Sequence, residues 1–206
     1  MKLSDVEKRV IDISYKHKLG HLNGCLTAVH LIDNLYKVKK PEDVFVLSAG
    51  HTAVALYVVL EKIYGFDAEK LFLKHGVHPN RDLKDKIFCS SGSLGCAITI
   101  AVGMALANRN RDVYVLSSDG EMAEGSCWEA LRIAGEQRLE NLKIMVNGNG
   151  TSALQKVDVD LLDMRLQMFF PTLVVKTNLY KYPEYLQGFE GHYTVLNDIQ
   201  YKELIK

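Results

Sequence analysis

The chain has 206 residues, of which 48% are hydrophobic, so it can bury the core of a single domain. Its 25 basic and 25 acidic residues cancel, and no excess charge favours nucleic acid or an anionic membrane surface. The four cysteines form no CxxC pair, no apolar stretch approaches a span of ~20 residues, and the first residues lack a signal-peptide core. We therefore expect a chain of the reducing cytoplasm that spans no membrane.

The first half of the sequence predicts helices and one strand around glycine-containing turns. A helical pattern begins at Ser4 and stops near Gly20, and a second covers 26–36. Residues 43–48 are typical of a short buried strand, and after a turn ending at His51 a helix is predicted at 53–63. We interpret the turn-rich segment 74–91 as a loop.

The following segments alternate between helix and strand. We predict helices at 95–108 and 124–138, strands at 113–117 and 142–146, and one further strand at 172–177 before a polar tail. This alternation is typical of an α/β fold with a parallel sheet and helices on both faces. No repeat, low-complexity tract or linker divides the sequence, so we expect one domain over 1–206.

Polar residues follow two of the predicted strands at the point where each strand ends. Asp119 comes after the strand at 113–117, and Asn149 follows the next strand along the chain. Because parallel strands joined by a crossover helix end at the same edge of a sheet, we expect both side chains to face one crevice. A carboxylate and an amide oxygen are hard donors that suit Mg²⁺ when the phosphates of a ligand complete its octahedron.

The ligand of such a site is expected to carry a diphosphate. Gly120 would let the backbone approach the phosphates, and the helix that begins near Glu124 would direct its positive end toward them. Taken alone, the residues equally suit a helix-capping Asp119 and a turn Asn149, and both interpretations stay open at this point.

Five segments resemble motifs of the transketolase family and occur in the family's order. SDGEMAEGSCWEAL at 118–131, followed by NGNG at 147–150, resembles the family's thiamine diphosphate motif, a GDG with a downstream asparagine. GHLNG at 20–24, SAGH at 48–51, HP at 78–79 and GSLG at 92–95 are similar to its other conserved loops. The resemblance implies the thiamine diphosphate-binding fold of that family, in its diphosphate-binding domain.

The resemblance also implies a role for individual residues. It makes Asp119, Asn149 and the backbone carbonyl of Thr151 the ligands of Mg²⁺, and His21 and His78 the catalytic histidines near the reacting carbons of a sugar. Glu124 matches an acid that the family places between two active sites. The cofactor-binding residues are implied to be His51, Gly92, Ser93, Leu94, Asp119, Gly120, Glu121 and Asn149, with His192 as a second diphosphate contact.

Several of these residues have a structural alternative. His78 could be a solvated loop histidine, His21 and His51 could be ordinary turn residues, and His192 could lie on the surface. Glu124 could be an acid favoured only by the dipole of the helix that follows it.

The family also uses a glutamate against the cofactor's aminopyrimidine ring, on a second domain that this sequence does not contain. We therefore expect the N-terminal subunit of a split transketolase, active only with a C-terminal subunit that carries the pyrimidine-binding domain. The implied assembly is a heterotetramer. The implied reaction cleaves a ketose or ketose phosphate between C2 and C3 and transfers the two-carbon ketol unit to an aldose.

Two departures from the family's pattern affect this interpretation. Ser118 replaces the first glycine of GDG, and only about twenty residues separate Gly150 from Pro171, where the family has a further strand and helix. The shorter segment suggests an unusual acceptor, such as a nucleotide-linked sugar. The alternatives are the diphosphate-binding subunit of a 2-oxo acid decarboxylase or dehydrogenase, and a noncatalytic subunit of the same fold.

Overall fold

The computed structural model describes residues 3–153 and 155–206. At its centre lies a sheet of four parallel strands in the order β1-β2-β3-β4. The strands are β1 (Val44–Leu47), β2 (Val113–Ser118), β3 (Leu142–Gly148) and β4 (Thr172–Lys176). Their carboxyl ends therefore open on one edge of the sheet. The predicted α/β fold with a parallel sheet is confirmed.

Helices connect the strands and extend beyond them. They are α1 (Asp5–Lys16), α2 (Leu22–Val38), α3 (Ala53–Tyr64), α4 (Ala68–His75), α5 (Cys96–Ala107), α6 (Gly125–Glu136), α7 (Val159–Gln167), α8 (Gly188–Tyr193) and α9 (Asp198–Leu204). Short 3₁₀ turns lie at Gly50–Thr52, Glu121–Ala123 and Glu184–Leu186. Within the described part of the chain, no helix combines the length and apolar character needed to cross a membrane.

The two faces of the sheet are covered by different helices. Phe45 and Leu47 of β1 belong to an apolar cluster with α1, α2 and α3, whereas Val44 and Val46 belong to a second cluster with α5, α6 and α7. Because side chains alternate along a strand, these neighbours point to opposite faces, and all four residues of β1 are buried. Helices on both faces are thus confirmed.

Local signals explain where several helices begin. Ser4 caps α1 and forms a capping box with Glu7. The side chain of Asp67 accepts hydrogen bonds from the backbone N–H groups of Glu69 and Lys70, and this cap starts α4, a helix that the sequence pattern did not predict. Only Ala68 and Leu71 of α4 are buried, so its apolar stripe is too short to give a clear helical period.

The C-terminal tail is more ordered than the weak pattern after Gly150 indicates. Helices α7, α8 and α9 all lie there, and the tail packs against α1 through the stacked rings of Tyr15 and Tyr201, whose centroids are 4.0 Å apart. Buried Leu186, Leu196 and Leu204 join the same apolar cluster as α1. The tail is thereby held against α1 and α2.

Candidate cofactor and metal site

Asp119 and the loop after β3 are in direct contact. Asp119 is the first residue after β2, and its Oδ2 accepts a hydrogen bond of 2.6 Å from the backbone N–H of Gly150. Its Oδ1 accepts another, of 2.9 Å, from the N–H of Gly120. The register pairs Ser118 with Asn147, so the two strands end side by side. The predicted convergence of the two loops therefore occurs in the fold.

The electrostatics of Asp119 suit a bound cation. The residue is 2% exposed, and burial raises the pKa of its carboxyl group to about 6, although backbone N–H donors act in the opposite direction. No lysine or arginine among the described residues forms an ion pair with it. A divalent cation would supply the positive charge that this buried carboxylate lacks, so the donor set fits Mg²⁺.

The other two predicted metal ligands lie in the loop beside Asp119. Asn149 directly follows β3, and its Oδ1 accepts a hydrogen bond of 3.0 Å from the N–H of Thr151. An amide oxygen has a second lone pair that can still bind a cation. The loop is closed by a bond of 2.9 Å from Val157 N–H to the carbonyl of Gly150. Thr151 is half-buried at the start of this closed loop.

A second group of potential ligands is already neutralised. In the described part of the chain, His75, Asp82 and Asp85 also lie close enough to share a cation. Lys74 Nζ, however, is 2.8 Å from Asp82 and 2.6 Å from Asp85. Because the protein's own ammonium group lies between these carboxylates, the edge at Asp119 is the better candidate for a metal.

Three of the four predicted histidines are in ring contact. The ring centroid of His21 lies 4.3 Å from that of His192 and 5.4 Å from that of His51, and the last two rings are 6.1 Å apart. These residues come from the start of α2, from α8 and from the turn after β1. Segments from distant parts of the sequence therefore form one histidine cluster.

The histidine cluster is electrostatically biased toward neutral imidazoles. Burial lowers the pKa of His21 to about 4, and the neighbouring His192 and His78 add to this effect. Burial likewise lowers the pKa of His51 to about 3. The Nδ1 atom of His21 is buried and has no hydrogen-bond partner among the residues that the structure describes. A buried polar atom without a partner is uncommon, and such atoms often mark functional sites.

The backbone of His21 is held in an uncommon conformation. Its φ of 57° lies in the left-handed region, which histidine tolerates better than most side chains do. Its N–H donates a hydrogen bond of 3.0 Å to the carbonyl of His192. This conformation starts α2 at Leu22, four residues earlier than the sequence predicts.

His78 and the GSLG loop form the adjoining wall. A Cβ added to Gly92, whose φ is 130°, would lie 2.9 Å from Cγ of His78. Gly92 therefore permits the close approach of this exposed histidine. Ser93 and Leu94 follow on the surface, and Leu94 is 40% exposed.

Gly120 forms a second close contact in the site. A Cβ at this position would lie 2.9 Å from Cβ of Ser152, in the loop that follows Thr151. The absence of a side chain at Gly120 thus lets the two predicted metal-binding loops pack together.

The two glutamates of the SDGEMAEG segment have different environments. Glu121 is fully buried, and both of its carboxylate oxygens accept hydrogen bonds from protein groups. Its side chain therefore lies beneath the site, and direct contact with a cofactor would require these bonds to break. Glu124 is exposed and is the N-cap residue of α6, where its side chain makes no capping hydrogen bond.

The sequence analysis did not identify the polar network beneath Asn149. Asn147, at the end of β3, donates from Nδ2 to Thr27 Oγ1 at 2.8 Å and accepts at Oδ1 from Thr177 Oγ1 at 2.6 Å. This network joins α2, β3 and the segment after β4 below the candidate site. The residue type and its position at a strand end were visible, but its partners depend on the tertiary fold.

Several proteins of known name are similar to this chain. An apulose-4-phosphate transketolase subunit of Phocaeicola vulgatus is 34% identical over 163 residues, which cover 69% of this chain and 57% of that protein. Mouse transketolase is 33% identical over 186 residues, covering 76% of this chain and 29% of that one. The 1-deoxy-D-xylulose-5-phosphate synthase of Fusobacterium nucleatum is 30% identical over 161 residues, which cover 76% of this chain and 26% of that protein. The chain thus spans about half of the first protein and about a quarter of the others.

Solved structures are similar in fold. The transketolase of Campylobacter jejuni matches 98% of this chain and 43% of its own, with a TM-score of 0.74 and 21% identity. The match to the transketolase of Leishmania mexicana covers 84% of this chain and 35% of that one, with a TM-score of 0.67 and 21% identity. The family model described as transketolase, thiamine diphosphate binding domain, matches residues 33–169. This chain belongs to that family.

Proposed function

We propose that the chain is the thiamine diphosphate- and Mg²⁺-binding subunit of a two-component transketolase. It would transfer a two-carbon ketol unit from a ketose or ketose phosphate to an aldose acceptor, in the cytoplasm. One arrangement carries this proposal: the buried carboxylate of Asp119 and the histidine cluster open on the same edge of the sheet. A metal-bound diphosphate and a polyhydroxylated substrate need these two sets of groups.

Different residues at this edge of the sheet would bind the metal, the diphosphate and the rest of the cofactor. Asp119, Asn149 and the carbonyl of Thr151 would hold Mg²⁺, which in turn would bind the diphosphate. His51 and His192, with Gly120, would line the diphosphate, and Ser93 and Leu94 would lie along the cofactor. Thiamine diphosphate, when bound, supplies the nucleophilic carbon and the electron sink for cleavage of the C2–C3 bond.

His21 and His78 would handle the hydroxyl groups and protons of the sugar. The lowered pKa of His21 keeps its imidazole neutral at pH 7, so one ring nitrogen can accept a proton or a hydrogen bond from a hydroxyl. The exposed His78 would approach the sugar from the adjoining wall. These two histidines favour ketol transfer over the decarboxylation of a 2-oxo acid.

A partner subunit is expected to cover the site on the side of α5. This helix has an outward face with large apolar side chains: Ile100 is 45% exposed and Leu106 is 39% exposed. Leu94 and the exposed Glu124 lie at the same end of α5, next to Gly95. Exposed apolar surface beside a cofactor site is typical of a subunit interface. The similarity to a protein named as one subunit of a transketolase supports the existence of a partner subunit. We propose that this partner is a C-terminal subunit and that the assembly is a heterotetramer.

A second candidate keeps the cofactor but changes the substrate. This candidate is the diphosphate-binding subunit of a 2-oxo acid decarboxylase or dehydrogenase, and it is kept because a protein that is not named a transketolase, a 1-deoxy-D-xylulose-5-phosphate synthase, is also similar to the chain. To separate the two, the chain is combined with its C-terminal subunit and supplied in parallel with ketose phosphates plus an aldose, and with pyruvate-type acids. Transfer from the ketose supports the transketolase. Turnover of the oxo acid alone supports the second candidate, and no turnover of either leaves a noncatalytic subunit.

The surface on α5 has its own test. Ile100→Lys would place a charge in the proposed interface, and we expect it to weaken binding of the C-terminal subunit in analytical ultracentrifugation. Val38→Lys, at the exposed end of α2 on the other face of the sheet, is the matched charge change away from this surface. If both variants lost the same binding affinity for the C-terminal subunit, or if Ile100→Lys lost none, the partner would bind elsewhere.

A further inference from the structure

Three turns at the carboxyl edge of the sheet are joined to one buried carboxylate. Glu121 Oε1 accepts hydrogen bonds from Ser48 Oγ at 2.7 Å and from the backbone N–H of Gly95 at 2.8 Å. Glu121 Oε2 accepts from Ser117 Oγ at 2.5 Å. Glu121 is 0% exposed, so water does not compete for these bonds.

Each of the three donors precedes or follows a residue of the proposed site. Ser48 lies at the end of β1, three positions before His51, and Ser117 lies in β2, two positions before Asp119. Gly95 ends the GSLG loop. Glu121 therefore connects three segments that would contact the metal, the diphosphate and the thiamine portion of the cofactor.

The turn after β1 packs tightly against the GSLG loop, and that loop packs against the start of α6. A Cβ on Gly50 would lie 2.8 Å from the backbone nitrogen of Gly92, so the turn after β1 abuts the GSLG loop. At Gly95, where φ is 78°, a Cβ would clash with Oγ of Ser126. These turns touch at several points, and a shift of one displaces the others.

The hydrogen bonds to the side chain of Glu121 all come from neutral donors. Its hydrogen-bond partners in the described residues are two hydroxyl groups and one backbone N–H, and none of them is a cation. Gly95 is the N-cap residue of α5, so the accepting Oε1 of Glu121 lies at the N-terminal end of this helix, where the helix dipole favours an acceptor. A buried carboxylate held this way keeps a fixed geometry because each bond is costly to lose.

We propose that Glu121 is a positioning residue for the cofactor site: its carboxylate fixes the turns that carry His51, Asp119 and the GSLG loop relative to one another. This replaces the direct cofactor contact that the sequence resemblance implies for Glu121. The inference deepens the proposed function and depends on it for its binding test.

The binding test compares two variants of Glu121 with a matched glutamate on α6. Thiamine diphosphate with Mg²⁺ is titrated calorimetrically into complexes of the C-terminal subunit with the wild type, Glu121→Gln, Glu121→Ala and Glu129→Gln, the last of which alters an exposed residue. Loss of such a supporting contact typically weakens metal binding about 10–100-fold. We expect that loss in Glu121→Ala, a smaller one in Glu121→Gln, and none in Glu129→Gln. Unchanged affinity in Glu121→Ala would overturn the inference.

Hydrogen exchange gives a readout that needs no cofactor. In Glu121→Ala, amide exchange should accelerate at least about tenfold in peptides covering 49–52 and 92–96, while α9 keeps its wild-type rates. Uniform acceleration along the chain would indicate only lost stability and would contradict positioning. If the wild type binds no cofactor, the proposed function fails, and the exchange pattern still decides whether Glu121 couples the turns.

If Glu121→Ala does not fold, the inference can be tested with variants that each remove one hydrogen-bond donor to Glu121. Ser48→Ala and Ser117→Ala each delete one hydrogen bond to the carboxylate and leave Glu121 in place. We expect each to weaken binding of the Mg²⁺–cofactor complex, with local exchange increases at 49–52 for Ser48→Ala. Wild-type affinity in both would contradict the role of the carboxylate.

Discussion

The backbone N–H of His21 donates a hydrogen bond of 3.0 Å to the carbonyl oxygen of His192. This bond joins the start of α2 to α8 in the C-terminal tail, and the two imidazole rings are in edge contact above it. The conformation of one histidine of the proposed site thus depends on a segment from the other end of the sequence. Interactions that hold the tail in place should therefore affect the site.

Glu7 holds the tail to α1, and its removal should destabilise the protein. The carboxylate of Glu7 is 2% exposed and contacts Lys181, Tyr182, Ser4 and, at 3.2 Å, His30. We expect Glu7→Gln to lower the free energy of unfolding by about 1–3 kcal/mol at pH 7, measured with urea. An unchanged value would show that the tail is held by its apolar contacts alone.

The same carboxylate predicts a pH dependence. Burial opposes the charge of Glu7, but hydrogen bonds from Lys181, Tyr182 and Ser4 outweigh it and hold the pKa far below the ordinary value of 4.5. The stabilisation is therefore complete above pH 4.5 and declines as the pH falls below it, because the unfolded chain then binds the proton first. The difference in unfolding free energy between wild type and Glu7→Gln should shrink from pH 7 to pH 3. A constant difference would contradict this assignment.

Substitution by alanine should change the stability of the protein in opposite directions at two glycines near α5. Gly95 has a φ of 78°, so Gly95→Ala should cost about 1–2 kcal/mol for the left-handed backbone alone. In Gly103, inside α5, an added Cβ meets nothing within 4 Å, and Gly103→Ala should stabilise the isolated chain by about 0.5–1 kcal/mol. Thermal unfolding of both variants checks the signs. Stabilisation by Gly95→Ala would mean that the turn is not in this conformation.

His78 tests the substrate class. Because its side chain is exposed and makes no hydrogen bond within the described part of the chain, His78→Ala should leave the melting temperature within about 2 °C of wild type. In the complex with the C-terminal subunit, ketol transfer should fall by about 10²–10⁴-fold, the range for lost acid–base catalysis. His17→Gln, outside the site, is the control. Full activity of His78→Ala would favour the second candidate function.

The parts of the site that follow from strand topology could be predicted from the sequence. Asp119 and Asn149 each follow an apolar run, and parallel strands bring such positions together. The resemblance to the transketolase family supplied His21, His51 and His192, whose mutual contacts are visible only in the fold. The conformation of His21 and the early start of α2 could not be predicted, because they depend on the contact with α8.

The role of Glu121 could not be predicted for a related reason. In the sequence it is one acid of an SDGEMAEG segment, and nothing local indicates that Ser48 and Gly95 will donate to its carboxylate. Helix α4 was missed because a short helix with two buried residues has almost no period. In both cases the structure depends on tertiary contacts, which the local sequence pattern does not reveal.

The most direct measurement of the central claim is calorimetric titration of thiamine diphosphate, with and without Mg²⁺, into the complex of the chain with its C-terminal subunit, for wild type, Asp119→Asn and Asp5→Asn. Asp5 is an exposed acid at the start of α1 and serves as the matched control. We predict saturable binding that requires Mg²⁺ in the wild type and in Asp5→Asn, and none in Asp119→Asn. Binding that is independent of Mg²⁺, or undiminished in Asp119→Asn, would contradict the assignment of this edge of the sheet as the metal and cofactor site.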